Sequence, residues 1–311
     1  MELLVLSKED LLKISDAETL VDSVKIAFSS FSSGKMKQPE RHVDFVKGNW
    51  WGTMIGFNDQ MFGIKIVNVI NENKLKGLPA VNGVAILFSA DTGEPQCLTE
   101  GSTLTALRTA SASVLSTWLA LRKKSIGTLG IVGAGDEAFY HAKLAQEFFS
   151  IEKIMITARK SHIDLAMKLG LLAVDKVKLL NSADVIFSTT SSQDPVILGK
   201  MLKDNFHVSS IGAHTPSSRE LDDDVILKAR TIMVDSKEAV FRESGDLSIP
   251  QKEGLLDDKN VVEIGDIINN GYTIDTPSIF KTVGIASQDV FTLSSVCKKA
   301  TEEGVGKLIK L

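Results

Sequence analysis

The segment Gly133-Ala134-Gly135-Asp136-Glu137-Ala138 spells G-x-G-x-x-A. It follows an apolar run at 128–132, expected as a strand. It opens a stretch where Ala138, Ala142, Ala145 and Phe149 recur at helical spacing. In that setting the glycines allow a tight turn and let the backbone approach a pyrophosphate. Ala138 permits close helix–strand packing, and the unpaired N–H groups of the first turn hold phosphates. A purely structural turn is the other reading of the same letters. The next expected strand, 153–157, runs into Ala158-Arg159-Lys160, where NAD sites usually carry Asp or Glu for the ribose hydroxyls. Arg159 and Lys160 would attract a 2′-phosphate, which favours NADP(H) over NAD(H). A solvated basic turn is the alternative.

A second group consists of cations in apolar or small-residue surroundings. Lys65 interrupts Ile64-Lys65-Ile66-Val67, and Arg108 sits in Leu104-Thr105-Ala106-Leu107-Arg108-Thr109-Ala110-Ser111-Ala112. Small neighbours let another backbone come close and bury the guanidinium, which then needs an anion. Arg41 precedes a strand-like region. Each has an ordinary alternative: an edge-strand lysine for Lys65, a surface arginine for Arg41. Together they would make a clamp for a carboxylate, which arginine grips bidentately.

These residues need elements to hold them. The chain has 311 residues, enough for about two domains. Its composition, 43% hydrophobic and 24% charged, is that of an ordinary globular protein. A net charge of −4 argues against a broadly basic nucleic-acid binder. No apolar run reaches membrane-spanning length, and the first residues lack the pattern of a signal peptide. Cys97 and Cys297 are too few for a disulfide framework or a four-ligand zinc site. They are expected to be inert thiols in a reducing, cytoplasmic compartment. The histidines show no ligand spacing, so no metal is expected.

The first hundred residues read as a short strand, a helix over 16–31 and an antiparallel meander from 41 to 98. A long helix is expected at 103–121. Strands at 128–132, 153–157, 184–188, 207–211 and 231–234 then alternate with helical stretches, the pattern of a parallel sheet covered on both faces. The tail from 289 to 311 reads as helical. Asp222-Asp223-Asp224 suits a helix N-terminus, and Trp50-Trp51 could line a pocket or a dimer face, of which the dimer face is favoured.

Several segments, in order, resemble the ornithine cyclodeaminase/mu-crystallin family. They are Gly63-Ile64-Lys65-Ile66-Val67, Lys76-Gly77-Leu78-Pro79-Ala80-Val81-Asn82-Gly83, Asp91-Thr92-Gly93-Glu94-Pro95 and the stretch around Arg108. The Gly133–Ala138 loop, Arg219-Glu220-Leu221-Asp222, Val234-Asp235-Ser236, Glu243-Ser244-Gly245-Asp246-Leu247 and Ile279-Phe280-Lys281-Thr282-Val283-Gly284 complete the set. The resemblance implies a homodimer whose subunit is α/β. It has a Rossmann doubly wound parallel sheet, expected over 108–288. A second α+β substrate and dimerisation domain is built from both chain ends, 1–107 with 289–311. It implies a nicotinamide cofactor and a small amino-acid or imine substrate. By position, Arg41, Lys65 and Arg108 match the family's carboxylate-binding residues, and Asp136 and Glu137 match pyrophosphate-loop residues. Thr190, Thr282 and Val283 match residues near the nicotinamide.

Two positions depart from the family pattern. Cyclodeaminases carry an aspartate in a G-x-D-x-P loop that acts on the substrate amine and water; here Gly212-Ala213-His214-Thr215-Pro216 replaces it with His214. Their glutamate for the ornithine side chain aligns with Gly52. The expected activity is therefore an NAD(P)-dependent amino-acid dehydrogenase or ketimine reductase, with Lys65 or His214 handling the proton. Ornithine cyclodeaminase and a dinucleotide-dependent binding protein with vestigial catalysis are the alternatives.

Overall fold

The computed structural model describes residues 2–310, apart from the side chains at 71 and 74. The chain divides into two compact units, Met1–Arg108 with Ile285–Leu311, and Thr109–Gly284. Both junctions differ slightly from the sequence boundaries. Arg108 and residues 285–288 lie in the unit built from the chain ends. The first junction falls inside one continuous helix, Gly101–Leu121, where periodicity leaves no mark of a boundary.

The unit made from both ends has a seven-stranded sheet. Its strands are β1 (Glu2–Leu6), β2 (His42–Val46), β3 (Asn49–Phe57), β4 (Met61–Val69), β5 (Val81–Ser89), β6 (Pro95–Glu100) and the C-terminal Lys307–Lys310. The meander from β2 to β6 is antiparallel, β1 joins β6 in parallel, and Lys307–Lys310 closes the far edge against β1. The expectation of an all-helical tail is corrected here. The last helix, Ala286–Glu303, ends at Gly304 with φ +64°, a left-handed cap that glycine adopts at little cost, and the chain then extends.

Helix α1 (Lys8–Ile14) starts with a capping box between Ser7 and Asp10, and α2 (Ala17–Ser32) starts at Asp16, whose carboxylate accepts from the Thr19 N–H. α2 turns Leu20, Val21, Val24, Ala27 and Phe28 into the core. The C-terminal helix packs close to the sheet because Gly56 and Gly63, paired on β3 and β4, have no side chains. A Cβ on Gly63 would lie 2.6 Å from a Val290 methyl group. Cys97 on β6 is bonded to Cys297 on that helix as a disulfide. This corrects the reading of two inert thiols, and the cysteine count then carries no argument for a reducing compartment. Residues 200 apart in sequence gave no local sign of their pairing.

The second unit holds an eight-stranded, wholly parallel sheet. Its strands, in chain order, are β7 (Ser125–Val132), β8 (Ser150–Thr157), β9 (Leu172–Ala173), β10 (Val185–Ser188), β11 (His207–Ser210), β12 (Thr231–Val234), β13 (Val261–Glu263) and β14 (Ser278–Lys281). The spatial order is β13-β12-β14-β11-β10-β7-β8-β9. The chain leaves β7 toward β8 and β9, then returns to β10 on the other side. The gap between β7 and β10 is therefore the topological switch point, where doubly wound sheets bind ligands at the carboxyl ends of the strands. Sequence reading missed β9, β13 and β14. β9 and β13 are two and three residues long, too short for a signal, and β14 has just two apolar residues, Ile279 and Phe280, between Ser278 and Lys281. Among the described residues no helix is long and apolar enough to cross a membrane.

Candidate active site

Strand alternation on β4 sends Met61, Gly63, Lys65 and Val67 to the buried face. β4 lies between β3 and β5, so Lys65 is not an edge lysine. Its side chain is 1% exposed, and its Nζ donates to Asp289 Oδ1 at 2.6 Å. Arg108 Nε donates to the same oxygen at 3.1 Å, and its side chain is nearly as buried. Asp289 Oδ2 is buried and accepts no hydrogen bond among the described residues. The Gly56–Gly63 pair explains the arrangement: the helix that seats Val290 on Gly63 brings the preceding residue, Asp289, onto Lys65 two positions along the same strand.

Burial pushes the Lys65 ammonium down to about 8. The Asp289 carboxylate opposes that shift, while the positive charges of Arg108 and then Arg41 add to it. Arg41, half-buried at the entry to β2, thus belongs electrostatically to this cluster. The three cations singled out in the sequence are together in one unit. Asp289 is the member that sequence reading assigned only to a helix. Its available signal was the pair of glycines inside strands, which marks a close approach by another backbone.

In the other unit, Gly133 follows β7 with φ +127°, and a Cβ there would lie 2.7 Å from the Thr189 carbonyl oxygen. Only glycine fits a loop pressed against the loop after β10. Gly135 is the N-cap of the helix Asp136–Phe148, and a Cβ on it would meet nothing within 4 Å. Glycine offers no side-chain cap to the first-turn N–H groups that helix geometry leaves without intrahelical partners. Ala138 is fully buried under the helix. Ala134 and Glu137 are half-buried and Asp136 is exposed. Arg159 and Lys160 are exposed just past the end of β8. These features fit the phosphates of a dinucleotide.

The acidic residues of the later motifs hold the loops around this crevice. Glu220, fully buried, accepts from the Thr190 N–H at 2.8 Å, the Thr190 hydroxyl at 2.9 Å and the Gly212 N–H at 2.7 Å. It therefore ties the loop after β10 to the loop after β11. Asp246 accepts from the Glu220 and Leu221 N–H groups and from Lys281 Nζ at 3.0 Å. Asp235 accepts from the Thr282 hydroxyl and from the N–H groups of Val283 and Gly284. Thr282 and Val283 are buried in that arrangement. His214 is exposed, and its Nδ1–H donates to the Gly212 carbonyl at 2.8 Å. His141 and His207 are buried; burial pushes them down to about 4 and about 3, so both are neutral. They bond Ser113, Ser116 and Ser278 in the sheet core.

Comparison with known proteins gives a consistent set. The profile of the ornithine cyclodeaminase/mu-crystallin family matches residues 1–304. A Δ1-pyrroline-2-carboxylate reductase of Bacillus cereus is 30% identical over 99% of this chain and 100% of its own length. An alanine dehydrogenase of Archaeoglobus fulgidus is 28% identical over 100% of this chain and 99% of its own. The structure of Thermococcus litoralis Δ1-pyrroline-2-carboxylate reductase in complex with NADH and L-proline superposes with a TM-score of 0.88 at 30% identity, covering 98% of this chain and 99% of that one.

Proposed function

Because the chain belongs to the ornithine cyclodeaminase/mu-crystallin family, we propose that it reduces a small cyclic α-imino acid to the corresponding amino acid. The chain is an NAD(P)-dependent oxidoreductase acting at the α-carbon of an amino acid or its imine. The observation that carries the narrower reading is the pairing of buried Lys65 and Arg108 on a single carboxylate, Asp289, with half-buried Arg41 close enough to act on Lys65. Three positive charges against one negative suit one added anion.

The nicotinamide, when bound, supplies the hydride. The N–H groups at the start of the helix Asp136–Phe148 hold its pyrophosphate. Arg108 and Arg41 grip the substrate carboxylate and fix the orientation of Cα, which supplies much of the rate. Reduction adds a hydride at Cα and a proton at nitrogen. Lys65, charged below about pH 8, binds the carboxylate and delivers that proton; a lysine poised near the working pH suits the role. His214, held by the Gly212 carbonyl, is the second candidate for the proton.

The direct test is an assay of NADPH and NADH oxidation over cyclic imines and over 2-oxo acids with ammonia or methylamine. Turnover of a cyclic imino acid is expected. Formation of proline and ammonia from ornithine with catalytic NAD and no net NADH would replace this reading by cyclodeamination.

Arg159 and Lys160, past the end of β8 with no carboxylate beside them in sequence, support a preference for NADP(H). Arg159→Asp is expected to raise the Kd for NADPH at least tenfold more than that for NADH, since it replaces an attraction to the 2′-phosphate by a repulsion. Equal losses would reduce the residue to a loop former.

A homodimer through the outer face of the seven-stranded sheet also belongs to this reading. Ile66 and Val84, paired on β4 and β5, are 44% and 47% exposed, and Ile64, Ile86 and Trp51 flank them on that face. A broad apolar sheet face on a soluble protein marks an interface. Ile66→Lys is expected to convert the dimer to monomer in sedimentation. An unchanged mass would move the interface elsewhere.

A further inference from the structure

We propose that Trp50 sets the substrate specificity of this enzyme, its indole forming the wall against which the non-reacting part of the substrate packs. The proposal rests on the reading above, that the Lys65 cluster anchors a substrate carboxylate.

Strand alternation splits Trp50 and Trp51. Trp51 lies on the outer face with Thr53 and Ile55, whereas Trp50 shares the inner face with Gly52 and Met54. The two readings of the pair, a pocket lining and a dimer face, thus divide between them, and the proposal takes the pocket for Trp50. On the inner face Gly52 is paired with Val67 and Met54 with Lys65. Gly52 is therefore the diagonal neighbour of Lys65, about 7–8 Å away by sheet geometry. The Trp50 ring folds back over it. A Cβ built on Gly52 would lie 2.7 Å from Cζ2 and 2.9 Å from Cζ3 of the indole. The bare glycine gives the ring its seat, and the six-membered edge of the indole points along the strand toward the cationic cluster.

On this reading a substrate whose carboxylate meets Lys65 and Arg108 runs its next few carbons along the inner face, past Met54 and Val67 toward the Trp50 ring. No carboxylate borders that path from β3 or β4, and Lys65, Arg108 and Arg41 outnumber Asp289 in charge. An ammonium on the substrate side chain is repelled there despite the affinity of indole faces for cations. An uncharged, flat five-membered ring fits, and a rigid wall discriminates against one extra methylene by roughly tenfold or more.

The experiment compares Δ1-pyrroline-2-carboxylate with the six-membered Δ1-piperideine-2-carboxylate in the intact protein, Trp50→Ala and Trp50→Phe. The unaltered protein is expected to favour the five-membered ring by about tenfold or more in kcat/KM. Trp50→Ala is expected to bring the ratio to within about threefold of unity. Trp50→Phe, which keeps an aromatic ring of shorter reach, gives an intermediate ratio and guards against loss of folding in the alanine variant. A ratio unchanged in either folded variant, with turnover intact, overturns the role of Trp50 and leaves the imine-reductase reading standing. Absence of turnover on both rings in the unaltered protein overturns the reading itself.

Discussion

Lys65→Met is expected to lower kcat/KM by roughly 30- to 5,000-fold, because truncating one member of a buried charge pair costs about 2–5 kcal/mol. Three effects combine. On the proposed reading the substrate carboxylate loses one of its cations and the imine nitrogen loses the lysine that protonates it, while Asp289 keeps Arg108 as partner. The pH profile separates these from a simple loss of packing. With the Lys65 ammonium pushed down to about 8, kcat/KM in the unaltered protein falls as pH rises through about 8, since the neutral amine neither holds a carboxylate nor gives up the needed proton. Methionine removes that limb. A variant within threefold of the unaltered protein, with the limb still present, would make Lys65 a structural residue only.

Asp289→Asn carries the second large effect, and it has two readouts. The carboxylate opposes the burial that depresses Lys65. Its removal lets the ammonium lose its proton earlier, so the alkaline limb of kcat/KM should move to lower pH by about one unit or more. The same change leaves Lys65 and Arg108 buried together without an anion, and breaking a buried pair costs about 3–5 kcal/mol of stability. Its pH dependence has a definite sign. Lys65 releases its proton in the folded chain near 8 but in the unfolded chain near its ordinary value of 10.5. Between those limits the unfolded state binds the extra proton, so this group's contribution to the unfolding free energy rises with pH. The penalty of Asp289→Asn is therefore largest below the variant's lowered Lys65 value, shrinks as pH rises from there to about 8, and is level above it. Thermal unfolding at pH 6 and pH 9.5 measures it, and an equal loss at both would detach Asp289 from the ionisation of Lys65.

How much of this was legible in the sequence differs from element to element. The loop Gly133–Ala138 was readable because its demands are local. A strand, two glycines and a helix start follow one another, and φ +127° at Gly133 is a property of a single residue. The strand β4 was readable from its β-branched run, and Lys65 stood out as a charge among apolar residues. Whether that charge lay at an edge or in the middle of a sheet depended on β3 and β5, and so on pairing. β14 escaped notice for a related reason. Its two apolar residues, Ile279 and Phe280, are flanked by Ser278 and Lys281, and the segment becomes a strand only between β11 and β12. The disulfide between Cys97 and Cys297 and the hydrogen bonds of Glu220 likewise join segments far apart in the chain.

The fold class, the glycine loop at 133–138 and the three cations could be read from the residues alone, because each depends on residue type and short spacing. Tertiary structure alone decided that Asp289 bridges Lys65 and Arg108, that the two neighbouring tryptophans serve opposite faces, and that the chain's last residues form a strand. In each case the deciding partner comes from a distant segment. Its approach is controlled by packing, such as Val290 on Gly63, and nothing in the local pattern of residues encodes it.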